Sequence, residues 1–286
     1  MANTIWQDLY GVTFTQRWVN AKGVNTRVLE TGDRSAPTLV LLPGQTGHAD
    51  GYARNLGPLG EHFHTLAVDP VGCGFTDKPD SPYLIQDYVE HLIDFMDAEG
   101  IEKAHISGES IGGWVALRLA TTHPDRADKL VLNTCGGYNW DEAVFLRIRN
   151  LTLPAVMNND REEVRARLAF LMDDKSKVTE ELVDIRQHIY AMPEFRMNVE
   201  RMLDVQVPEI RKNIRITDEE LRNTTHESLV LWTVHDPTAP TSVADTMAEL
   251  IPNSKKVVLE GAGHWPQWEV VEAFNQVHID FLNGTL

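Results

Sequence analysis

The sequence predicts an α/β protein with a mainly parallel sheet flanked by helices, and three observations support this prediction. Short apolar runs bounded by Gly or Pro recur along the chain, and each is typical of a fully buried strand. Helical segments separate these runs, as crossovers between parallel strands require. A glycine-framed serine turn, G-E-S-I-G at residues 108–112, joins one apolar run directly to the helix that follows it.

The first half of the chain alternates strands and helices in the expected order. Residues 14–30 predict a hairpin, with Asn20, Lys22 and Gly23 at its turn. Buried strands are predicted over residues 38–42, 63–69, 104–107 and 130–133, and helices over residues 83–99 and 113–121. A chain of 286 residues, 42% of them hydrophobic, is long enough to bury a full core around this sheet.

The pattern changes after the fourth buried strand. From about residue 138 to residue 225 it predicts helix after helix, and Asp160 with Glu163 and Thr217 with Glu220 resemble N-terminal capping boxes. Strands are predicted again over residues 228–234 and 256–259, and helices over residues 242–250 and 269–282. The expected organisation is a core in two parts, residues 1–136 and 226–286, interrupted by a helical cap over residues 137–225.

Composition argues against several classes of function. The net charge of −16 comes without the clustered Lys and Arg that phosphate binding needs, so we expect no nucleic-acid partner. Cys73 and Cys135 are too few for a disulfide framework and favour a reducing compartment. The N-terminal residues do not resemble a signal peptide, and no apolar stretch has the length of a membrane span. We therefore expect a cytoplasmic protein with a small-molecule substrate and no membrane partner.

The turn at residues 108–112 has the pattern of a nucleophile elbow, a strand-turn-helix unit that lifts a serine hydroxyl above a sheet. Ser110 is the candidate nucleophile, and we expect it to have a strained backbone with positive φ. Gly108 and Gly112 leave room for that conformation. The helix that follows directs its N-terminus at the place where an oxyanion would form. A structural turn without chemistry is the competing interpretation.

A serine hydroxyl is a poor nucleophile at neutral pH and needs a base, which in turn needs an orienting acid. Among eleven histidines, His264 is the candidate base because its loop, G-A-G-H-W-P, directly follows a predicted strand. Asp236, in the loop after the strand at residues 228–234, is the candidate acid, and the chain order Ser110, Asp236, His264 suits an elbow-type hydrolase. A turn or cap role is the alternative for Asp236.

Other histidines fit different positions. We expect His235 to position the loop of Asp236, and His62 and His64 to lie at the surface near a strand start. No further ligands at metal-site spacing accompany that pair, so we expect neither a metal ion nor an organic cofactor.

Two backbone N–H groups are the expected oxyanion hole. One belongs to Ile111, the residue after the candidate nucleophile, and the other to the glycine loop after the strand at residues 38–42. Gln45 is the choice for the second donor, and Gly44 allows the substrate to approach the backbone closely. An ordinary loop glycine is the alternative interpretation of Gly44.

The whole chain resembles the α/β-hydrolase superfamily. More narrowly, R-W-V-N-A-K-G-V-N-T-R-V-L-E-T-G near the start and G-A-G-H-W-P-Q-W-E-V-V-E-A-F-N near the end are similar to the meta-cleavage-product hydrolases. Members of that family cut a carbon–carbon bond in 2-hydroxy-6-oxo-dienoates formed during aromatic degradation. The resemblance implies an α/β-hydrolase fold with an inserted helical cap, and it implies self-association into a homo-oligomer.

The resemblance also implies substrate-binding residues. In the family a cap arginine binds the substrate carboxylate, and Arg186 is the matching position. Leu182, Ile185 and Ile189 lie on the same helical face, so Arg186 is expected either to grip a carboxylate there or to extend past them to solvent. Trp265, directly after the candidate base, matches as a pocket-lining residue.

Two segments depart from the family pattern. The oxyanion loop reads P-G-Q-T-G where the family has a His-Gly-Gly-Gly-like sequence, and Glu109 stands where the family has Asn. An acid at that position would repel a carboxylate substrate, take part in proton transfer or face solvent.

The sequence thus predicts a serine hydrolase of the meta-cleavage-product type. A carboxylesterase or lactonase with the same three residues is the alternative. A ligand-binding protein on the same fold is a third possibility, because fold alone does not fix function.

Overall fold

The computed structural model describes residues 4–286 and contains an eight-stranded sheet with the order β1-β2-β4-β3-β5-β6-β7-β8. The strands are β1 Phe14–Ala21, β2 Val24–Thr31, β3 Thr38–Leu42, β4 His64–Val68, β5 Ala104–Glu109, β6 Ala127–Asn133, β7 Ser228–Thr233 and β8 Ser254–Leu259. The pairs β1–β2 and β2–β4 are antiparallel, and every other pair is parallel. The predicted hairpin and mainly parallel sheet are confirmed.

Helices cover both faces of this sheet and fill the segment between β6 and β7. The helices before that segment are α1 Ile5–Asp8, α2 Ala53–Gly60, α3 Ile85–Ala98 and α4 Ile111–Thr122. Within it lie α5 Glu142–Asn158, α6 Arg161–Leu171, α7 Glu180–Ala191, α8 Pro193–Met202, α9 Pro208–Ile214 and α10 Asp218–Asn223. After it come α11 Thr241–Leu250, α12 Pro266–Glu269 and α13 Val271–Leu282. Within residues 4–286 no helix combines the length and apolarity needed to cross a membrane.

Of the two predicted capping boxes, one forms completely and the other forms only in part. Thr217 and Glu220 form a complete box at the start of α10, with side chain and backbone bonded in both directions. Asp160 accepts hydrogen bonds from the N–H groups of Glu162 and Glu163 at the start of α6. The Glu163 carboxylate accepts instead from the amide of Asn158, so the second half of that box is missing.

The prediction that His64 lies at the surface is wrong. Its exposed fraction is 5%, and its Nε2 lies 2.9 Å from Oε1 of Glu30. Since β4 is covered by neighbouring strands and helices along its whole length, even a polar residue at its first position is buried and paired. His62, two residues earlier, is exposed as predicted.

Parallel pairing gathers four loops at one edge of the sheet. Strands β3, β5, β7 and β8 run in the same direction, so their carboxyl ends meet at that edge. The residues that follow these strands include Gly44, Ser110, Asp236 and His264. An open α/β sheet binds its ligands at this edge.

The connection from β5 to α4 depends on close contact between two glycines. A Cβ atom on Gly108 would lie 2.1 Å from the backbone of Gly112, and a Cβ atom on Gly112 would lie 2.4 Å from the carbonyl oxygen of Leu42. Backbone atoms cannot move aside as a flexible side chain can. Both positions therefore require glycine for strand and helix to meet at Ser110.

We expect Gly108→Ala to lower the free energy of unfolding by about 1–3 kcal/mol or more, because the new methyl group overlaps backbone. Urea denaturation would measure the change. Gly51→Ala is the matched control, since no heavy atom lies within 4 Å of a Cβ placed there. Equal stability of the two variants would contradict the packing argument.

Candidate active site

Ser110 occupies the turn between β5 and α4. Its backbone angles are φ +56° and ψ −114°, so the predicted positive φ is confirmed. Its N–H donates to the carbonyl of Asn133 at 3.0 Å, and its own carbonyl accepts from Gly136 at 2.9 Å. Bonds to the end of β6 therefore hold the strained turn in place.

His264 and Asp236 meet in the loops after β8 and β7. Nδ1 of His264 lies 2.9 Å from Oδ1 of Asp236, and both side chains are almost fully buried. The same oxygen accepts from the N–H and the hydroxyl of Thr238, each at 2.8 Å. The backbone N–H of His264 donates to the carbonyl of Leu171 in α6 at 2.6 Å. Asp236 thus fixes the Nδ1 side of the ring, and α6 fixes the backbone of His264.

Glu109 holds the other ring nitrogen of His264. Oε1 of Glu109 lies 3.0 Å from Nε2, and Oε2 accepts from the N–H of Gly44 at 2.6 Å. The Glu109 side chain is 2% exposed, so of the three roles open to it, a solvent-facing role is ruled out. Within residues 4–286, the His264 ring makes no hydrogen bond to Ser110, because Glu109 occupies the nitrogen that would receive the serine proton.

The two carboxylates determine the charge of His264. Burial by itself would lower the pKa of His264, but Asp236 and Glu109 outweigh burial and raise the pKa to about 10. The imidazole therefore carries a proton on each nitrogen at neutral pH in this arrangement. A base needs a free nitrogen, so proton acceptance requires that Glu109 releases Nε2.

The loop after β3 lies against both Ser110 and the helical segment. A Cβ atom on Gly44 would lie 2.5 Å from Oε2 of Glu109, so any side chain there would displace the Glu109 carboxylate. The Gln45 side chain donates to the carbonyl of Met202 at 2.7 Å and accepts from Gln206 at 2.7 Å. Helices of the segment between β6 and β7 thus anchor the loop that carries the proposed oxyanion donor.

Arg186 is buried in α7 beside the same loop. Its exposed fraction is 1%, so it does not extend to solvent, and its Nη1 donates to the carbonyl of Thr46 at 2.7 Å. Its Nε and Nη2 are buried and have no hydrogen-bond partner within residues 4–286. Its guanidinium carbon lies 5.8 Å from the ring centre of Trp265.

Two adjoining cavities meet at Ser110. The first has Gly44, Glu109, Arg167, His264 and Trp265 among its lining residues. The second extends past Ile111, Gly136, Phe145 and Arg211. Both are lined by Ser110, Ile148, Gln206 and Thr238, so a ligand that spans the two would cross the serine.

The sequence analysis missed Arg167 of α6. This arginine lines the first cavity directly, whereas Arg186 is not among its lining residues. Three residues of α6 near Arg167 are also buried. Val164 lies three positions before it, Leu168 one position after it and Leu171 four positions after it. The helical spacing that supported a position on the buried face for Arg186 would have supported the same position for Arg167.

The arrangement combines a hydroxyl, an imidazole held by carboxylates and a loop of backbone N–H groups, which are the parts that acyl transfer needs. Within residues 4–286 there is no group of three His, Cys, Asp or Glu side chains that would hold a metal ion.

Comparison with known proteins identifies the family. The model described as "Alpha/beta hydrolase family" matches residues 39–277. A 2-hydroxymuconate semialdehyde hydrolase from Pseudomonas putida is 29% identical over an alignment of 278 residues that covers 93% of this chain and 93% of that protein. A 2-hydroxy-6-oxononadienedioate/2-hydroxy-6-oxononatrienedioate hydrolase from Paraburkholderia phymatum is 30% identical over 253 residues, 86% of each chain.

Comparison with a solved structure leads to the same family. The structure of 2-hydroxy-6-oxo-6-phenylhexa-2,4-dienoate hydrolase from a Rhodococcus species aligns with a TM-score of 0.84 and 26% identity, over 95% of this chain and 99% of that chain. Fold, elbow and full-length similarity therefore lead to one conclusion: this protein is a member of the alpha/beta hydrolase family and resembles its meta-cleavage-product hydrolases.

Proposed function

We propose that this protein is a serine hydrolase that cleaves a carbon–carbon bond in a 2-hydroxy-6-oxo-dienoate. The observation that carries the proposal is the His264–Asp236 pair beside an elbow serine, with Ser110, His264 and Gln45 lining one cavity. Relatives that match nearly the full chain are named for such substrates.

In this proposal Ser110, or a water beside it, attacks the substrate. His264 first loses its Nε2 proton to solvent and is released by Glu109, and Nε2 then takes the proton of the attacking group while Asp236 keeps the imidazole oriented. The N–H groups of Gln45 and Ile111 stabilise the oxyanion. Neither N–H has a backbone or side-chain acceptor within residues 4–286, so both are free to donate.

The proposed reaction has two stages. The dienol is first ketonised, which moves the hydroxyl proton to the carbon beside the C6 carbonyl. Addition at C6 then breaks the bond between C5 and C6, and the electron pair of that bond is retained by the dienol that leaves. The products are a carboxylic acid and a 2-hydroxydienoate, with one water consumed.

Arg186 is proposed to attract the substrate carboxylate, and Trp265 and Gly44 to line its path. The unpartnered Nε and Nη2 of Arg186 support this role, since no carboxylate within residues 4–286 neutralises its charge. Residues 137–225 are proposed as a cap over the core formed by residues 1–136 and 226–286. Helices α5 to α10 all lie in that segment, and its Arg167 and Gln206 line the cavity.

Cleavage can be followed by the loss of visible absorbance of 2-hydroxy-6-oxo-6-phenylhexa-2,4-dienoate. We expect the wild-type protein to bleach this compound to benzoate, and Ser110→Ala to lose at least about 10³-fold in rate, because the attacking hydroxyl or its water partner is gone. Ser242→Ala, an exposed serine in α11, is the control and should keep full activity.

Absence of bleaching by the wild-type protein would contradict the proposed substrate. Activity against p-nitrophenyl esters or lactones, lost in Ser110→Ala, would then support a carboxylesterase or lactonase with the same groups.

The pH dependence of kcat/KM tests the link between Glu109 and His264. A pKa of about 10 leaves only about one molecule in a thousand with a neutral imidazole at pH 7, so wild-type kcat/KM should rise toward alkaline pH. Glu109→Gln removes one of the two carboxylates that raise this pKa. We expect the ascending limb to move to lower pH by at least about one unit.

Glu102→Gln is the control for this shift, because Glu102 is exposed and precedes β5, at the opposite end of that strand from the elbow. If the ascending part of the kcat/KM profile lies at the same pH in Glu109→Gln as in the wild type, the Glu109 carboxylate does not govern the protonation of His264.

A further inference from the structure

Arg167 is a buried cation without an ion-pair partner. Its exposed fraction is 3%, and no carboxylate lies within 4 Å of its guanidinium in the part of the chain from residue 4 onward. Its Nε donates to the hydroxyl of Thr152 at 2.8 Å, whereas its Nη1 is buried without any partner. Burying a charge in this way is unfavourable unless something compensates for it.

The bond to Thr152 fixes the direction of the guanidinium. Thr152 in turn donates to the carbonyl of Ile148 one turn earlier in α5, so both helices hold the arginine in place. Arg167 lines the cavity that also contains Ser110, His264 and Trp265. Its guanidinium is therefore the cation that a ligand in that cavity would meet in the cavity wall.

The cavity region contains two arginines that have no carboxylate of their own. Glu109 and Asp236 both bond to His264, and neither forms an ion pair with Arg167 or Arg186 within residues 4–286. A ligand carboxylate would supply the missing partner. Burial lowers the pKa of Arg167, with Arg186 acting in the same direction and Tyr190 and Glu109 opposing it, but a guanidinium keeps its proton at neutral pH.

We propose that Arg167 binds the carboxylate of the substrate directly, from the cavity wall, while Arg186 adds its charge from behind the oxyanion loop. Glu109 would by itself repel a carboxylate ligand in this cavity. The positive charge of Arg167 attracts the ligand and so opposes that repulsion. The substrate identity rests on the proposed hydrolase function, whereas anion binding can be measured without turnover.

The first experiment compares pentanoate with its uncharged amide, pentanamide, by calorimetric titration. The wild-type protein is expected to bind pentanoate at least tenfold more tightly than pentanamide, and Arg167→Met to lose that preference. Arg165→Met is the matched control, because Arg165 lies in the same helix and pairs with Glu162 and Glu180 at the surface. An unchanged preference in Arg167→Met would overturn the proposal.

Unfolding of Arg167→Met separates binding from a structural role. Because the variant keeps most of the side-chain volume and removes an uncompensated charge, its Tm should equal or exceed that of the wild type. A large fall in Tm would overturn the proposal in favour of a structural arginine. Arg167→Lys keeps the positive charge but lacks the paired N–H donors of a guanidinium, so it should retain part of the preference for pentanoate.

Kinetics with the phenyl dienoate distinguish failure of the inference from failure of the proposed function. Cleavage by the wild type with a KM raised at least tenfold in Arg167→Met supports both. Cleavage with an unchanged KM overturns the inference and leaves the function. Absence of cleavage together with Arg167-dependent pentanoate binding overturns the function and leaves the inference.

Discussion

The strained turn at Ser110 is the constraint on which the rest of the site depends. A residue with φ of +56° persists only where the surrounding structure holds it, and here the contact between Gly108 and Gly112 does so. That contact brings the end of β5 and the start of α4 together at the carboxyl edge of the sheet. As a result the serine and the first N–H of the helix face the loops that carry Asp236 and His264.

Glu109 extends this constraint to the neighbouring strand. In the parallel register of β3 and β5, Leu42 lies opposite Gly108, so the residues that follow each strand are also neighbours. The Glu109 carboxylate therefore reaches the N–H of Gly44, and the lack of a side chain on Gly44 leaves room for it. The same carboxylate holds Nε2 of His264. One side chain thus connects the oxyanion loop with the protonation state of the proposed base.

Much of this arrangement could be predicted from the sequence. The bounds of β3 match the apolar run at residues 38–42, since Pro37 and Pro43 limit the strand at both ends. Parallel order and chain order then bring Ser110, Asp236 and His264 to one edge. These inferences use local pattern and topology, which the sequence encodes directly.

The parts that escaped prediction depend on side-chain direction and on contacts between distant segments. The contact of Glu109 with His264 joins residues 155 positions apart, and the elbow pattern does not specify which way the residue before the serine points. The burial of His64 depends on the elements that cover β4, and the cavity-lining position of Arg167 depends on how α6 packs against α5.

The helical segment and the oxyanion loop are held together by bonds that a bound anion would leave intact. Gln45 is bonded to Met202 and Gln206, and Nη1 of Arg186 donates to the carbonyl of Thr46. Arg167, the proposed anion-binding residue, lies on the cavity wall and takes part in none of these bonds. A carboxylate bound to Arg167 therefore leaves the bond between Arg186 and Thr46 in place, and the loop retains its conformation. Anion binding and a preformed oxyanion loop are therefore compatible in one conformation of the chain.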